Sequence, residues 1–122
     1  MTEPSAPVAD TDPLGAIARR IVQLQKQHLG RGPKQVRVHR LDELVVVLLR
    51  DVYTPLEQTL VTAGRVETVF ENRRHIHKVM NELYRPVVEE EIGRRVDAVM
   101  SMNHVAPDIA VKLFVLAPPA AR

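Results

Sequence analysis

The chain has 122 residues, 45% of them apolar and 3% aromatic, and it contains no cysteine. That is one domain's length with an aliphatic core, and it excludes disulfides, thiolate metal sites and cysteine nucleophiles. A formal net charge of +2 is too small a surplus for a general nucleic-acid binder, although the sequence pI is near 9.3.

Residues 1–11 are rich in Pro, Ala, Ser and acids and read as a flexible tail. They carry no secretory signal, and no apolar run approaches a membrane span. The expectation is a soluble cytoplasmic protein without direct membrane insertion. Asp12-Pro13 pairs a cap residue with Pro at the first helical position. Leu14, Ile17, Ala18, Ile21 and Leu24 then recur at helical spacing, predicting an amphipathic helix that ends near Leu29, with Gly30 in the left-handed position beyond it.

Gly30-Arg31-Gly32-Pro33 reads as a loop, and Gln35 to His39 alternates as a half-buried strand. Leu41-Asp42-Glu43 is a short connection into the apolar run Leu44–Leu49, which implies an antiparallel hairpin. Thr54-Pro55-Leu56-Glu57 is a complete helix start. The Thr hydroxyl can accept from the Glu57 N–H while the carboxylate reaches back to the Thr54 N–H. Leu56, Leu60 and Val61 are expected to face inward in this helix, and Gly64 ends it. A second helical pattern runs from Val66 to about Ile92, with Pro86 expected to kink or break it. Val96, Ala98, Met100 and Met102 alternate with polar residues as a third strand, and Ile109–Leu116 is a fourth, nearly continuous in apolar residues.

The element order is α-β-β-α-α-β-β. It predicts an α+β fold: a four-stranded, mainly antiparallel sheet with helices on one face and strand order 1-2-4-3. The domain is expected over residues 12–116, between the tail at 1–11 and a Pro/Ala tail at 117–122. The apolar surface of the Val66–Ile92 segment exceeds what one small sheet should cover, which predicts a homodimer.

On a helical wheel Arg73 and His77 fall on the apolar arc of the Val66–Ile92 helix, four residues apart. A guanidinium there must be paired, and Glu57 and Asp51 are the candidate partners. A structural ion pair outweighs a ligand-binding Arg by roughly three to one. The sharper alternative is an anion contact by Arg73 with His77 beside it. Arg31, Lys34, Arg37 and Arg40 make the Gly30–Arg40 segment basic, which adds Arg31 and Lys34 as candidate anion contacts. The glycines there serve better as helix stop and turn than as a phosphate loop. His75 and His77 do not share a helix face, and no metal-ligand spacing is present. Glu89-Glu90-Glu91 with Arg94 and Arg95 reads as a solvated helix end. Tyr53 and Ser101 have no base beside them in sequence, so neither a catalytic constellation nor a cofactor is expected.

From Gly30 to Leu116 the chain resembles the MpsC-like family, also catalogued as DUF2294. The resemblance rests on Gly30-Arg31-Gly32-Pro33, the apolar strand, Thr54-Pro55-Leu56-Glu57, then Leu60, Gly64, Val69 and Arg73, and a closing strand with Phe114 and Leu116. It implies a non-enzymatic accessory component of a sodium-translocating, membrane-potential-generating system or a bicarbonate uptake system, partnered by a membrane transport subunit. It brings no catalytic residue. The alternative is a small-anion sensor using Arg73 and the basic segment.

Overall fold

The computed structural model describes residues 12–119, so the segment 1–11 and residues 120–122, read above as tails, lie outside the described residues. The elements are α1 (Pro13–Leu29), β1 (Gln35–Leu41), β2 (Leu44–Arg50), α2 (Pro55–Thr62), α3 (Val66–Ile92), β3 (Val96–His104) and β4 (Ile109–Leu116). The four strands form one antiparallel sheet in the order β1-β2-β4-β3, as the apolar content of the two central strands predicts.

Local chemistry starts and stops these elements. The Asp12 carboxylate accepts from the N–H of Leu14 and Gly15, and Gly30 closes α1 at φ 86°. The capping box of α2 is complete: Glu57 N–H donates to Thr54 Oγ1 at 3.2 Å, and Thr54 N–H donates to Glu57 Oε1 at 2.9 Å.

Helices α1 and α3 cover one face of the sheet. Val38, Val45, Val47, Leu49, Ala110, Phe114 and Leu116 point into that core, against Ile17, Ile21, Val69, Met80, Tyr84, Val87 and Val88. Each large side chain fully buried there contributes about 1.5–3 kcal/mol, which is how an almost purely aliphatic core suffices.

Five local readings need correction. Leu56 is 69% exposed, because α2 rests on Leu60 and Val61 instead. Helix α3 runs unbroken through Pro86. Pro86 is exposed, while the buried Tyr84, Val87 and Val88 on either side hold the helix to the core. Most of the apolar arc of α3 is spent on its own core, leaving Phe70 and Val79 exposed, so it supplies little surplus for a dimer. The Glu89–Glu91 end is not simply solvated. Arg20 binds Glu90 and Glu91, and Glu89 accepts from the Val96 N–H at 2.8 Å. Ala117 is buried and its N–H donates to the Arg95 carbonyl, so the ordered fold continues past residue 116.

Strand β3 holds the most consequential difference. A register shift between Val96 and Ala98 marks a bulge. Beyond it, Val99, Ser101 and Asn103 pair with Phe114, Lys112 and Ala110 and so lie on the helix side. Ala98, Met100 and Met102 lie on the other side, opposite Val115, Leu113 and Val111. One extra residue exchanges the faces, and it puts the polar phase of β3 under α3.

Candidate functional site

Arg73 is 4% exposed. Its Nε and Nη2 each donate to a Glu57 carboxylate oxygen at 2.7 Å, and Nη2 also donates to the Val52 carbonyl at 3.2 Å. The guanidinium lies 5.3 Å from the centroid of the Tyr53 ring. Burial alone would raise the Glu57 carboxyl, yet the hydrogen bonds and charge of Arg73 and the Thr54 contacts hold it below the usual range. The expected Arg73–Glu57 pair is therefore present, and the same glutamate caps α2.

The loop between β2 and α2 is fixed from two further directions. Arg31 Nη1 donates to the Tyr53 carbonyl at 2.7 Å and Nη2 to the Asp51 carbonyl at 2.8 Å. The Asp108 carboxylate accepts from the N–H of Val52 and of Tyr53, each at 3.1 Å. Arg31 is thus committed to backbone carbonyls. Lys34 is exposed at the entry to β1. Neither lines the cavity where Arg73 and His77 meet.

That cavity, about 210 Å³, opens between α3 and β3. Phe70, Arg73 and His77 line it from the helix, and Ser101, Met102 and Asn103 from the strand. Behind Ser101 stands Lys112, which is 3% exposed. Its Nζ donates to Ser101 Oγ at 3.3 Å and sits 5.0 Å from the centroid of the Tyr84 ring. Among the described residues no carboxylate forms an ion pair with it. Ser101 Oγ in turn donates to Asn81 Oδ1 at 2.9 Å, and Gln25 Nε2 donates to Tyr84 Oη at 3.0 Å.

This region is short of partners. Asn103 lies beside the Tyr53 hydroxyl and the His77 ring. Even so, neither its Nδ2 nor its Oδ1 completes a hydrogen bond, and the buried Tyr53 hydroxyl has none either. Each such orphan costs about 1–3 kcal/mol. Electrostatics agree with the geometry. Burial, then the Arg73 charge, pulls Lys112 down to about 7. Burial, then the charge of Lys112, pulls His77 down to about 4. Burial pushes Tyr53 and Tyr84 up to about 12. Near neutrality the cavity is therefore lined by a neutral imidazole and the Asn103 amide, with a half-protonated amine behind Ser101. A larger groove of about 510 Å³ between α1 and α3 has its Arg20 already bound to Glu90 and Glu91, and no orphaned atoms line it.

Lys112, Ser101 and Asn103 were not singled out as ligand groups. A signal for Lys112 existed: it is the single charge in the run Ile109–Leu116, in phase with Ala110 and Phe114. No pattern announced Asn103, because the bulge reverses its face. His39 and His104 sit on opposite edge strands, and His75 is exposed on α3.

No curated protein and no solved structure matches the chain. A family model described as Na+-translocating membrane potential-generating system (MpsC) matches residues 15–118. That span runs from the first turn of α1 past the end of β4, and with it the chain belongs to the MpsC family.

Proposed function

We propose that this protein is a non-enzymatic accessory component of a membrane-potential-generating system, and that it responds to a small protonated oxyanion bound between α3 and β3. The family's name links its members to a Na+-translocating system. Among the described residues no helix is long and apolar enough to cross a membrane, which supports a role beside a membrane subunit.

The observation that carries the anion reading is Lys112, a buried ammonium without a carboxylate, whose Nζ donates to the cavity-lining Ser101. A buried cation needs either an anion or the loss of its proton. The orphaned amide of Asn103 presents both a donor and an acceptor. An oxyanion that still carries a proton, such as bicarbonate or dihydrogen phosphate, complements both. Arg73 is not the ligand's contact in this reading, because Glu57 already satisfies it. Its place is structural, as part of the cavity wall.

Thermal melts with bicarbonate, phosphate and chloride test this. A bound anion raises apparent stability by mass action. The oxyanions are expected to raise the Tm of the wild type at pH 6.5 more than at pH 9, and to leave Lys112→Met unmoved. Equal shifts in both proteins would remove Lys112 from the site.

One observation favours a second reading. Lys112 stands within 3.3 Å of Ser101, the arrangement of a lysine base beside a serine nucleophile. Against it, the Ser101 hydroxyl donates to the amide oxygen of Asn81, which cannot take its proton. Covalent labelling of Ser101 by a fluorophosphonate would revive the enzymatic reading.

A further inference from the structure

We infer that two copies of this chain pack sheet against sheet through the face that α1 and α3 leave bare, with β2 of one copy over β4 of the other. The paired registers define that face in rows. Arg37, Leu48, Val111 and Met102 form one row across the four strands. His39, Val46, Leu113 and Met100 form the next, and Leu41, Leu44, Val115 and Ala98 the third. Of these twelve positions ten are apolar. None of the ten belongs to the core cluster or packs against it. Leu41 is 60% exposed and Met102 66%. This also explains why β2 and β4 are apolar in both phases although helices cover one side alone. A half-solvated antiparallel sheet ordinarily alternates.

The occupant follows from extent and charge. Four strands about 4.8 Å apart, each about seven residues at 3.3 Å, give a footprint of roughly 440 Å². Closing two such faces removes roughly 900 Å² of accessible surface in all, at the lower end of what a specific interface buries. The three rows carry no acid. Within them the cations Arg37 and His39 stand on β1, while β3 opposite offers Met100 and Met102. A fourth row, Gln35, Arg50, Ile109 and His104, closes the polar end of the face. A two-fold axis running along the strands lays β1 over the second copy's β3, so that Arg37 meets Met102 and His39 meets Met100. The same axis lays Arg50 over Ile109. An axis across the strands would instead set Arg37 against His39 of the other copy, which like charge disfavours. The aligned arrangement is also the usual geometry of stacked sheets. Residues 1–11 fit less well, since their Pro and acidic content offers little to an apolar sheet.

Light scattering on the purified full chain from 1 to 100 µM, with and without vesicles containing phosphatidylglycerol, tests the proposal. The wild type is expected at twice its 13.8 kDa. Leu113→Lys, at the centre of the face, is expected to be monomeric with an unchanged circular dichroism spectrum. Should it fail to fold, Met102→Lys lies at an exposed edge and is expected to raise the dimer dissociation constant at least tenfold. A monomeric wild type would overturn the proposal, whether it stays free or binds vesicles through this face. A dimer indifferent to both substitutions would overturn it as well, by placing the interface elsewhere.

Discussion

Two cations are buried near one small cavity, Arg73 in its wall and Lys112 behind Ser101, and they are treated in opposite ways. Arg73 meets a carboxylate through two hydrogen bonds, a backbone carbonyl and an aromatic face. Lys112 meets a hydroxyl and an aromatic face. The first is a closed structural joint that ties α3, the start of α2 and the end of β2 together. The second is an open valence. Burial alone marks neither as functional, and the partner inventory separates them.

The largest effect should come from breaking the closed joint. Arg73→Ala strands the Glu57 carboxylate and the Val52 carbonyl and is expected to cost about 3–5 kcal/mol in urea unfolding. Arg73→Lys should recover little of this, because a point charge does not replace a bidentate fork. A loss below about 1 kcal/mol would mean that the pair is as weak as a surface bridge.

Removing the other cation should do the reverse. Lys112→Met keeps the length of the side chain and discards a buried charge, so it is expected to stabilise the protein by a few kcal/mol at pH 6.5. The sign with pH follows from linkage. Lys112 titrates near 7 when folded and near 10.5 when unfolded. Between those values the unfolded chain binds more protons, so wild-type stability rises with pH there. Lys112→Met should lack that rise, and its advantage should shrink from pH 7 towards pH 9.5. Above about pH 10 Tyr53 and Tyr84, held near 12 in the fold, begin to act with the opposite sign. Identical pH slopes in the two proteins would contradict an unpaired Lys112.

A smaller effect sharpens the same contrast. Thr54→Ala removes one hydrogen bond from the Glu57 network and is expected to cost about 1 kcal/mol. Glu57 remains bound by Arg73, so the joint itself should survive. A double-mutant cycle with Arg73→Ala should show coupling between them, since the Thr54 hydroxyl holds the main chain of the residue whose carboxylate Arg73 binds. Additivity would show that the cap and the ion pair are separate features.

Legibility in the sequence follows the same division. The joint was readable because each part left a local mark: Thr-Pro-x-Glu for the cap, and an arginine on an apolar helical arc. The strand order was readable because β2 and β4 are nearly continuous in apolar residues. The open site was not, because its geometry depends on a bulge of one residue near Asp97. Before the bulge Val96 is inward, and after it Ser101 and Asn103 take that phase. Period-two alternation carries no sign of such a slip. Leu56 misled for a related reason. It belongs to the first turn of a short helix, whose orientation the cap and the Glu57–Arg73 pair decide more than apolar spacing does.

In the proposed reading Lys112 is an unpaired cation that binds an anion. Carbon-13 NMR of the lysine Cε, assigned by comparison with Lys112→Met, measures its titration directly. Without added oxyanion the midpoint is expected near 7, and saturating bicarbonate or phosphate should raise it, because a bound anion favours the charged form. A midpoint at the ordinary lysine value, or one that no anion moves, would contradict the account.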